Sequence, residues 1–470
     1  MDTDVVVLGA GISGLSCARR LRASGADVVL LEAGERPGGP IATERTPEGF
    51  LIEHGPQTVR VADPDLLAEL DGLGGDTARI GAEPASGRRF VVWKGRPQAL
   101  PHGPGALVRT PLLSARGKLR LLREPFVRAR PGADPTVAEF VRGRLGPEVA
   151  DRLVDPFVAG VYAGRSDRLS AAATLPDLVE GVRAHGSLLR WGLRGRPRRA
   201  AGAPRPTLVS FREGLGEWPR RLAEALGPAL RLQDPAVALE PHAGGWIVHT
   251  GSGGTVRARA VVSALPAPAA AALVRELDGA AADALDGIGY APVAVVHLGF
   301  VCAEPPDVLR GFGCLNPTGE GRRTLGTLFS SSLFPGRAPE GHVLTATFVG
   351  GSRAPEAFVE DDTALVDRAL HEHRTLFGLD APAFERVIRW RRAIPQYEVG
   401  HTERIARVRR LEVARPGLRL IGSWRGGVSV PGCWASGRAT ADAVAGEMRP
   451  AGTSASVGRS SSLLAAGSPS

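Results

Sequence analysis

The hydrophobic pattern at the start of the chain predicts a strand, a helix and a second strand. Residues 4–8 (Asp-Val-Val-Val-Leu) form an apolar, β-branched run, as expected of a strand buried on both faces. Residues 15–23 carry a helical pattern, and residues 27–31 (Asp-Val-Val-Leu-Leu) form a second apolar run. Two buried strands joined by one helix are typical of a parallel crossover. The opening therefore predicts an α/β fold.

The pattern changes between about residues 95 and 210. Helical stretches at 135–144 and 147–157 are joined there by segments rich in Pro and Arg. Residues 450–470, rich in Ser, Gly and Ala, read as a disordered tail.

Strand patterns return in the second half of the chain. Residues 246–250 and 256–265 are predicted strands, and a β-rich block runs from 292 to 351. The strand-like run 418–422, followed by a Gly-rich turn and a predicted helix over 434–448, repeats the pattern of the opening unit. The chain is thus predicted to return to its first sheet near its end.

Composition is that of a globular protein with an excess of positive charge. The 470 residues are 43% hydrophobic and 23% charged, and the formal net charge is +9. Such a balance is compatible with a nucleic acid, an anionic membrane surface or an acidic small molecule as partner. Composition alone does not choose among them.

The four cysteines predict a reducing compartment and no metal site. Cys17, Cys302, Cys314 and Cys433 form neither a CxxC pair nor a metal-ligand spacing. No apolar run reaches the roughly 18 residues of a membrane-spanning helix. The acidic opening Met-Asp-Thr-Asp predicts no signal peptide. We therefore expect a cytoplasmic protein.

A glycine motif joins the first strand to the first helix. Gly9, Gly11 and Gly14 form GxGxxG, and Glu32 ends the second strand. In this context the glycines permit a tight turn, close approach of a pyrophosphate and close helix–strand packing, while the acid accepts ribose hydroxyls. The pyrophosphate would lie at the positive end of the helix. The motif predicts a dinucleotide site, with FAD and NAD both open.

The residues after Glu32 favour FAD. Arg36 and the pair Gly38-Gly39 supply a charge and a second loop that can run along a pyrophosphate. An ordinary surface turn with a solvated Arg36 is the structural alternative. This segment resembles that of the flavin amine oxidases and related desaturases, in which it cradles FAD.

Longer strings resemble the protoporphyrinogen oxidases within that group. The most specific is Ile-Pro-Gln-Tyr-Glu-Val-Gly-His at 394–401. Together the strings follow the family order over roughly residues 4–446. The others lie at 50–56, 160–164, 290–296, 311–313 and 422–433.

The resemblance implies an α/β fold of three parts: a Rossmann-type FAD-binding domain, a mixed-sheet substrate domain and an α-helical membrane-associated domain. The expected boundaries are 1–90, 211–285 and 411–449 for the FAD-binding domain, 91–210 for the helical domain and 286–410 for the substrate domain, before a disordered tail at 450–470.

The resemblance also implies a dispersed set of FAD contacts, made mainly by backbone. Val237 would lie near the adenine, and the turn before the last helix would offer N–H groups to the reduced isoalloxazine. Departures from the family pattern are Gln57 in place of Asn, Asp or Arg, Gly432 in place of a frequent Asp, and Pro40, which lacks a backbone donor. The implied set is Gly9, Ala10, Gly11, Ile12, Ser13, Gly14, Glu32, Ala33, Arg36, Gly39, Pro40, Gly55, Pro56, Gln57, Thr58, Val237, Ser423, Val428, Ser429 and Val430.

On the substrate side, the resemblance implies that a porphyrinogen is bound. Arg89 matches the family arginine that pairs with a propionate, and the adjacent Arg88 is an alternative. Gly160 would bring a backbone carbonyl close to a pyrrole N–H, where a side chain would interfere. The expected apolar walls of the macrocycle site are Phe312, Leu315, Leu328 and Phe348.

The implied reaction is the six-electron oxidation of protoporphyrinogen IX to protoporphyrin IX, with flavin N5 carrying the chemistry and no catalytic side chain. His54, His297 and His401 are dispersed and are interpreted as structural. Dioxygen or another acceptor would reoxidise the flavin, and a ferrochelatase would receive the product. Residues 183–199 alternate apolar and Arg side chains, which suits either a peripheral membrane contact on the inner face of the cell membrane or a solvated basic surface.

Alternatives remain at this point. A coproporphyrinogen III oxidase has the same fold and chemistry with a tetra-propionate substrate. A carotenoid desaturase or amine oxidase shares the FAD site but not the string at 394–401. A non-catalytic flavin-binding protein and a nucleic-acid binder are the alternatives from other classes, and no recognition motif supports nucleic acid.

Overall fold

Apolar runs from distant stretches of the chain build one seven-stranded sheet. The computed structural model describes residues 2–73, 79–127, 132–195 and 206–448. The strand order is β10-β2-β1-β13-β12-β11, and β19 pairs with the second half of β13. The strands are β1 (Thr3–Leu8), β2 (Val28–Leu31), β10 (Leu230–Arg231), β11 (Ala236–His242), β12 (Gly245–Thr250), β13 (Thr255–Ser263) and β19 (Leu418–Leu420).

The centre of this sheet is parallel and covered on both faces. β1 pairs in parallel with β2 and β13, and β13 with β19. Val5, Val6 and Val7 are fully buried because successive side chains enter opposite layers. This confirms the predicted strand–helix–strand opening and the return of the chain near its end.

A second seven-stranded sheet has the order β18-β14-β17-β16-β15-β7-β8. All its pairs are antiparallel except β15 with β7, so the predicted mixed sheet is confirmed. The strands are β7 (Arg89–Trp93), β8 (Arg96–Ala99), β14 (Tyr290–Val301), β15 (Gly313–Leu315), β16 (Thr324–Leu328), β17 (His342–Gly350) and β18 (Pro382–Pro395).

Two small sheets lie between these larger ones in the chain. β3 (Thr43–Arg45) pairs with β4 (Leu51–Glu53). β9 (Thr207–Phe211) lies between β5 (Val59–Val61) and β6 (Arg79–Gly81).

Helices cover both large sheets and build a separate helical region. α1 and α17 contribute to one layer on the first sheet, α12, α13 and α16 to the other, and α15 covers one face of the second sheet. The helices are α1 (Ile12–Ala23), α2 (Pro64–Gly72), α3 (Pro104–Arg109), α4 (Ala115–Leu122), α5 (Val137–Leu145), α6 (Pro147–Val149), α7 (Asp155–Tyr162), α8 (Ala171–Thr174), α9 (Pro176–His185), α10 (Leu188–Arg190), α11 (Glu217–Leu226), α12 (Ala267–Val274), α13 (Gly279–Asp286), α14 (Ser330–Leu333), α15 (Asp362–Phe377), α16 (His401–Ala414) and α17 (Val430–Met448).

The helical region departs from the prediction in one detail. The stretch expected as one helix over 147–157 is α6, a π-helical turn at Ala150–Val154, and then α7. Pro156 lacks an N–H to donate to Arg152, and its ring would crowd that carbonyl, so the turn widens there. Within the described ranges no helix is long and apolar enough to cross a membrane. Residues 196–199 of the basic segment and the tail at 450–470 lie outside those ranges.

Candidate functional site

The glycine motif forms an open helix N-terminus. Gly9 has φ +93°, and Gly11 precedes the first residue of α1. A Cβ on Gly14 would overlap the carbonyl oxygen of Gly9, whereas one on Gly11 would meet nothing within 4 Å. Gly14 is therefore required by the packing of helix on strand, and Gly11 leaves room above the N–H groups of α1. This geometry fits a pyrophosphate.

Glu32 lies beside this helix N-terminus at the end of β2. Its carboxylate accepts the N–H of Ala10 at 2.6 Å and that of Gly34 at 2.8 Å, and its own carbonyl accepts the N–H of Asp234. Each carboxylate oxygen keeps a second lone pair for a ribose hydroxyl. Val237 lies at a register shift of β11 against β12, three residues after Asp234. The bulge leaves its peptide groups outside the regular ladder.

The pair Gly38-Gly39 packs against the first glycine motif. The N–H of Gly38 donates to Ala10 O at 2.8 Å, and a Cβ on Gly39 would lie 3.8 Å from Gly11 Cα. Arg36 donates to the carbonyl of Gly39 at 2.9 Å, so the loop itself holds this guanidinium. The loop thus lies against the first glycine motif, as expected from its resemblance to the FAD-binding segment of flavin amine oxidases.

The segment from Gly55 to Thr58 packs against the end of the second glycine loop at Pro40. A Cβ on Gly55 would overlap the carbonyl oxygen of Pro40. The amide of Gln57, the departure from the family pattern, turns back to donate to the carbonyls of Glu53 at 3.1 Å and Gly55 at 3.2 Å. Gln57 therefore braces its own segment through its side chain.

A second helix N-terminus lies close to the first. Ser429 Oγ accepts the N–H of Gly432 at 3.1 Å as α17 begins at Val430. α17 packs closely on α1, since a Cβ on Gly437 would overlap Ser13 O and Ser16 Oγ donates to Trp434 O at 3.0 Å. These contacts bring segments that are far apart in sequence next to one another, and the predicted FAD-binding residues on them are here called the cofactor groove. It comprises residues 9–14, 32–33, 36, 38–40, 55–58, 423 and 428–430.

Four of the expected substrate residues, Arg89, Leu315, Leu328 and Phe348, share one face of the second sheet, and Phe312 lies directly before β15. Gly313 pairs with both Arg89 and Leu328, and Gly326 pairs with both Leu315 and Phe348. Residues directly opposite in a sheet point to the same side. We call these side chains, with Gly160 above them, the substrate face. Gly313 and Gly326 have no side chain, and Leu328 and Leu315 lie against them.

Arg89 is the free cation of this face. Its guanidinium carbon lies 4.6 Å from the ring centre of Phe312, and it has no carboxylate partner among the described residues. Arg88 instead forms a bidentate pair with Asp307 at 2.7 and 2.9 Å. Arg89 is thus the better candidate for a carboxylate of the substrate.

Sequence reasoning missed Arg60. This residue is exposed on β5 and, within the described ranges, has no carboxylate partner. Partial desolvation and the positive charge of Arg60 both lower the pKa of Arg89. Only its position between Val59 and Val61, on the outward side of a short strand, could have marked it.

Gly160 lies in the last turn of α7, opposite Leu315. A Cβ there would lie 2.6 Å from Leu315 Cδ2. Its carbonyl accepts no described backbone N–H, whereas the carbonyls of Ala159 and Tyr162 are occupied by Ala163 N and Gln396 Nε2. An exposed, unoccupied carbonyl at this position can accept a pyrrole N–H.

Glu53 lies two residues before Gly55 of the cofactor groove and contacts β14 of the second sheet through His297. Its side chain is 2% exposed, accepts hydrogen bonds from the hydroxyl of Thr43 and the N–H of Leu215, and lies 3.4 Å from the guanidinium of Arg337. Its backbone carbonyl is hydrogen-bonded to His297 Nε2 at 3.1 Å. Burial raises the pKa of Glu53 to about 7 and lowers that of His297 to about 4.

The histidines interpreted as structural have structural surroundings. Burial lowers the pKa of His401 to about 4, and its ring stacks on Tyr397. His54 contacts Glu44 at 3.3 Å. Among the described residues no group of three or more His, Cys, Asp and Glu is placed to hold a metal ion.

A family model for flavin-containing amine oxidoreductases matches residues 12–445. The chain belongs to this family. It is 34% identical to the chloroplastic protoporphyrinogen oxidase of Oryza sativa subsp. japonica, over 92% of this chain and 86% of that protein. It is 32% identical to the coproporphyrinogen III oxidase of Propionibacterium freudenreichii subsp. freudenreichii, over 94% and 90%. A crystal structure from Exiguobacterium sp. 255-15, provisionally named a protoporphyrinogen oxidase, superposes with a TM-score of 0.80 at 26% identity, over 95% and 99%.

These matches confirm the resemblance to protoporphyrinogen oxidases that the sequence strings predicted. Membership in the family makes the protein a flavin-dependent oxidoreductase with FAD as its cofactor. The cofactor groove fits this group, because its two helix N-termini and its paired glycine loops present backbone to a pyrophosphate. The individual contacts of that groove stay a prediction.

Proposed function

We propose that the protein oxidises protoporphyrinogen IX to protoporphyrin IX at the substrate face. The observation that carries this is an arrangement of three groups: Arg89, which has no carboxylate partner among the described residues, an apolar sheet face beside it, and Gly160 opposite Leu315 on that face. A porphyrinogen offers the matching groups: a propionate, two apolar faces and pyrrole N–H donors. The similarity to named protoporphyrinogen oxidases supports the same substrate.

The side chains of the substrate face orient the macrocycle rather than exchange protons with it. When bound, FAD supplies a hydride acceptor at N5. Arg89 anchors a propionate, Leu315 and Phe348 cover a face of the ring, and the carbonyl of Gly160 receives a pyrrole hydrogen. Closing this space against water places the reduced carbon for transfer. Six electrons and six protons leave the macrocycle in three such steps.

Dioxygen is the proposed electron acceptor, giving peroxide, and an enzyme that inserts iron, a ferrochelatase, is the proposed recipient of the product. Both come from the resemblance to protoporphyrinogen oxidases. Measuring oxygen consumption and peroxide against porphyrin formed tests the acceptor, and a ratio near three per porphyrin is expected.

Coproporphyrinogen III is the second candidate substrate. The observation in its favour is Arg60, a second cation without a carboxylate partner in the described part of the chain, whose charge acts on Arg89. A substrate with four propionates would use more than one such cation. The coproporphyrinogen III oxidase among the relatives points the same way.

Porphyrin fluorescence with the two porphyrinogens side by side tests both proposals. We expect faster oxidation of protoporphyrinogen IX than of coproporphyrinogen III, and a reversed ranking would favour the second candidate. Oxidation of neither above the rate without enzyme would overturn the proposed function. The flavin absorbance of the same sample shows that the enzyme assayed is loaded.

We also propose that the helical region binds the inner face of the cell membrane peripherally. Four apolar side chains of this region, Val108, Leu122, Phe126 and Leu193, are each at least 70% exposed. Basic residues of α4 and α10 accompany them. Apolar side chains beside cationic ones suit an anionic lipid surface.

Sedimentation with vesicles of phosphatidylglycerol and phosphatidylcholine tests the membrane proposal. Replacing Leu122, Phe126 and Leu193 together by Asp should abolish co-sedimentation while turnover in detergent is kept. The matched control is Val413→Asp on α16, where the native side chain is 82% exposed. Equal loss of binding in both variants, or in neither, would contradict this assignment.

A further inference from the structure

The hydroxyl of Tyr397 spans the turn that precedes α17. It donates to Ser423 O and accepts the N–H of Gly427 at 3.0 Å. These two groups bracket the loop between β19 and α17, directly before Val428. One side chain therefore fixes the distance across the loop that leads into the cofactor groove.

The ring of Tyr397 is packed between the start of α16 and the helical region. It is 2% exposed, stacks on His401 with 4.3 Å between ring centres, and meets Tyr162 edge-on at 5.9 Å. The carbonyl of Tyr397 accepts the N–H of Ser170 at 2.8 Å. These contacts hold the ring of Tyr397 in place independently of the loop.

The neighbouring residue extends this connection to α7. Gln396 Nε2 donates to Tyr162 O at 2.8 Å, two residues after Gly160, and its Oε1 accepts Ser352 Oγ at 3.1 Å. Val428 itself packs against the apolar core of the helical region. The adjacent residues Gln396 and Tyr397 thus connect α7, which carries Gly160, to the turn before α17.

Tyr397 can make both contacts only while it is protonated. Burial is the main cause that raises the pKa of its hydroxyl, so the group remains both donor and acceptor across the physiological range. A phenylalanine at this position would keep the ring packing and remove both bonds.

We infer that Tyr397 is a positioning residue, which holds the backbone N–H groups at 428–430 in place beside the flavin and aligns them with the substrate wall at Gly160. This inference rests on the proposed function for the location of the flavin and of the porphyrinogen. Hydrogen-bond donors held in place stabilise charge that develops on reduction, whereas donors free to relax lose part of that effect.

The test is Tyr397→Phe in the FAD-loaded protein. We expect unchanged flavin content, a kcat about tenfold lower with little change in KM, and a lower midpoint potential of the flavin. A tenfold weaker stabilisation of the reduced form corresponds to about 30 mV for a two-electron couple. The potential is titrated on the flavoprotein without porphyrinogen, so it stays informative even if the proposed substrate is wrong.

Tyr162→Phe is the matched control. It removes another buried hydroxyl, which donates to Thr174 O at 3.1 Å within the helical region, and the phenylalanine ring keeps the edge-on contact with Tyr397. Its potential should equal that of the unmodified protein. The inference is overturned if Tyr397→Phe keeps the native potential, if both variants shift equally, or if Tyr397→Phe loses its flavin, since the residue would then serve packing rather than positioning.

Discussion

The cofactor groove and the substrate face are built from different materials. The groove consists of peptide groups at two helix N-termini and two glycine loops, and its few side chains, such as Arg36 and Gln57, bond back to the groove itself. The substrate face consists of side chains from separate strands, and its cation has no protein carboxylate partner among the described residues. The side chains of the groove already have hydrogen-bond partners in the protein, whereas the guanidinium of Arg89 would gain a carboxylate partner from the substrate.

This difference predicts how each region responds to substitution. A backbone groove tolerates changes of side-chain chemistry and fails when a Cβ is added where peptide groups touch. A side-chain face has the opposite sensitivity, because each contact with the ligand belongs to one residue. The following variants test that contrast.

The largest effect is expected from Gly14→Ala. Its Cβ would overlap Gly9 O, so the strand and α1 must separate, at a cost of about 1–3 kcal/mol or more in the free energy of unfolding. We expect a lower melting temperature and no bound flavin, read from the absorbance ratio. Gly11→Ala, with nothing within 4 Å, should lose flavin but keep the melting temperature of the apoprotein. Equal melting of the two variants would contradict the packing argument.

Arg89→Ala should spare the groove and damage the face. Losing one hydrogen-bonded ion pair to a carboxylate costs about 1.5–3 kcal/mol, or roughly 10–100-fold in kcat/KM. Flavin content should be unchanged. The control is Arg88→Ala, which removes a solvent-exposed pair with Asp307 and should change kcat/KM little. Flavin loss in Arg89→Ala would place this residue in the wrong region.

Gly160→Ala should have a smaller effect on the same face. The added Cβ would meet the end of Leu315, a flexible side chain that would have to move along the substrate face and change the surface offered to the macrocycle. We expect about a tenfold fall in kcat/KM, or ~1.4 kcal/mol. Gly143→Ala, where a Cβ meets nothing within 4 Å, is the control in the same helical region. If the two variants behave alike, Gly160 does not line the macrocycle site.

In the native chain the smallest net effect is expected from the pH dependence of Glu53 and His297, because the two groups act in opposite directions. His297, with a pKa of about 4, contributes stability that is present above pH 6.5 and lost as the pH falls towards 4. Glu53, with a pKa of about 7, contributes stability that is present below pH 4.5 and lost as the pH rises through 7. The two groups therefore oppose each other between pH 4.5 and 6.5.

Replacing either group alone should reveal the pH dependence of stability that the other group contributes. His297→Gln should make the protein gain stability on acidification relative to the native chain, and Glu53→Gln should do the reverse, by up to about 1.4 kcal/mol per pH unit for each group. The slope of melting temperature against pH measures this independently of any overall destabilisation. Slopes that move in the same direction would exclude the opposed titrations.

The contrast between the regions also explains how far prediction from the sequence could go. The strand–turn–helix at the start, the acid at Glu32 and the return of the chain before α17 were all predicted, since short-range spacing specifies a helix N-terminus. Arg60 was missed, because an arginine between two valines has no local signature of function. The π-helical turn was missed as well, because Pro156 alone did not show how the helix would adapt.

The sequence by itself determined the FAD-binding type of fold and the family, because backbone groove, glycines and acid lie within short segments whose geometry is local. Only the tertiary structure decided which of the adjacent Arg88 and Arg89 has a carboxylate partner among the described residues, since Arg88 pairs with the distant Asp307 and Arg89 does not. It also decided that Leu315, Leu328 and Phe348 share a face, which depends on the register of three strands. Register and charge pairing are properties of long-range packing, and no short segment encodes them alone.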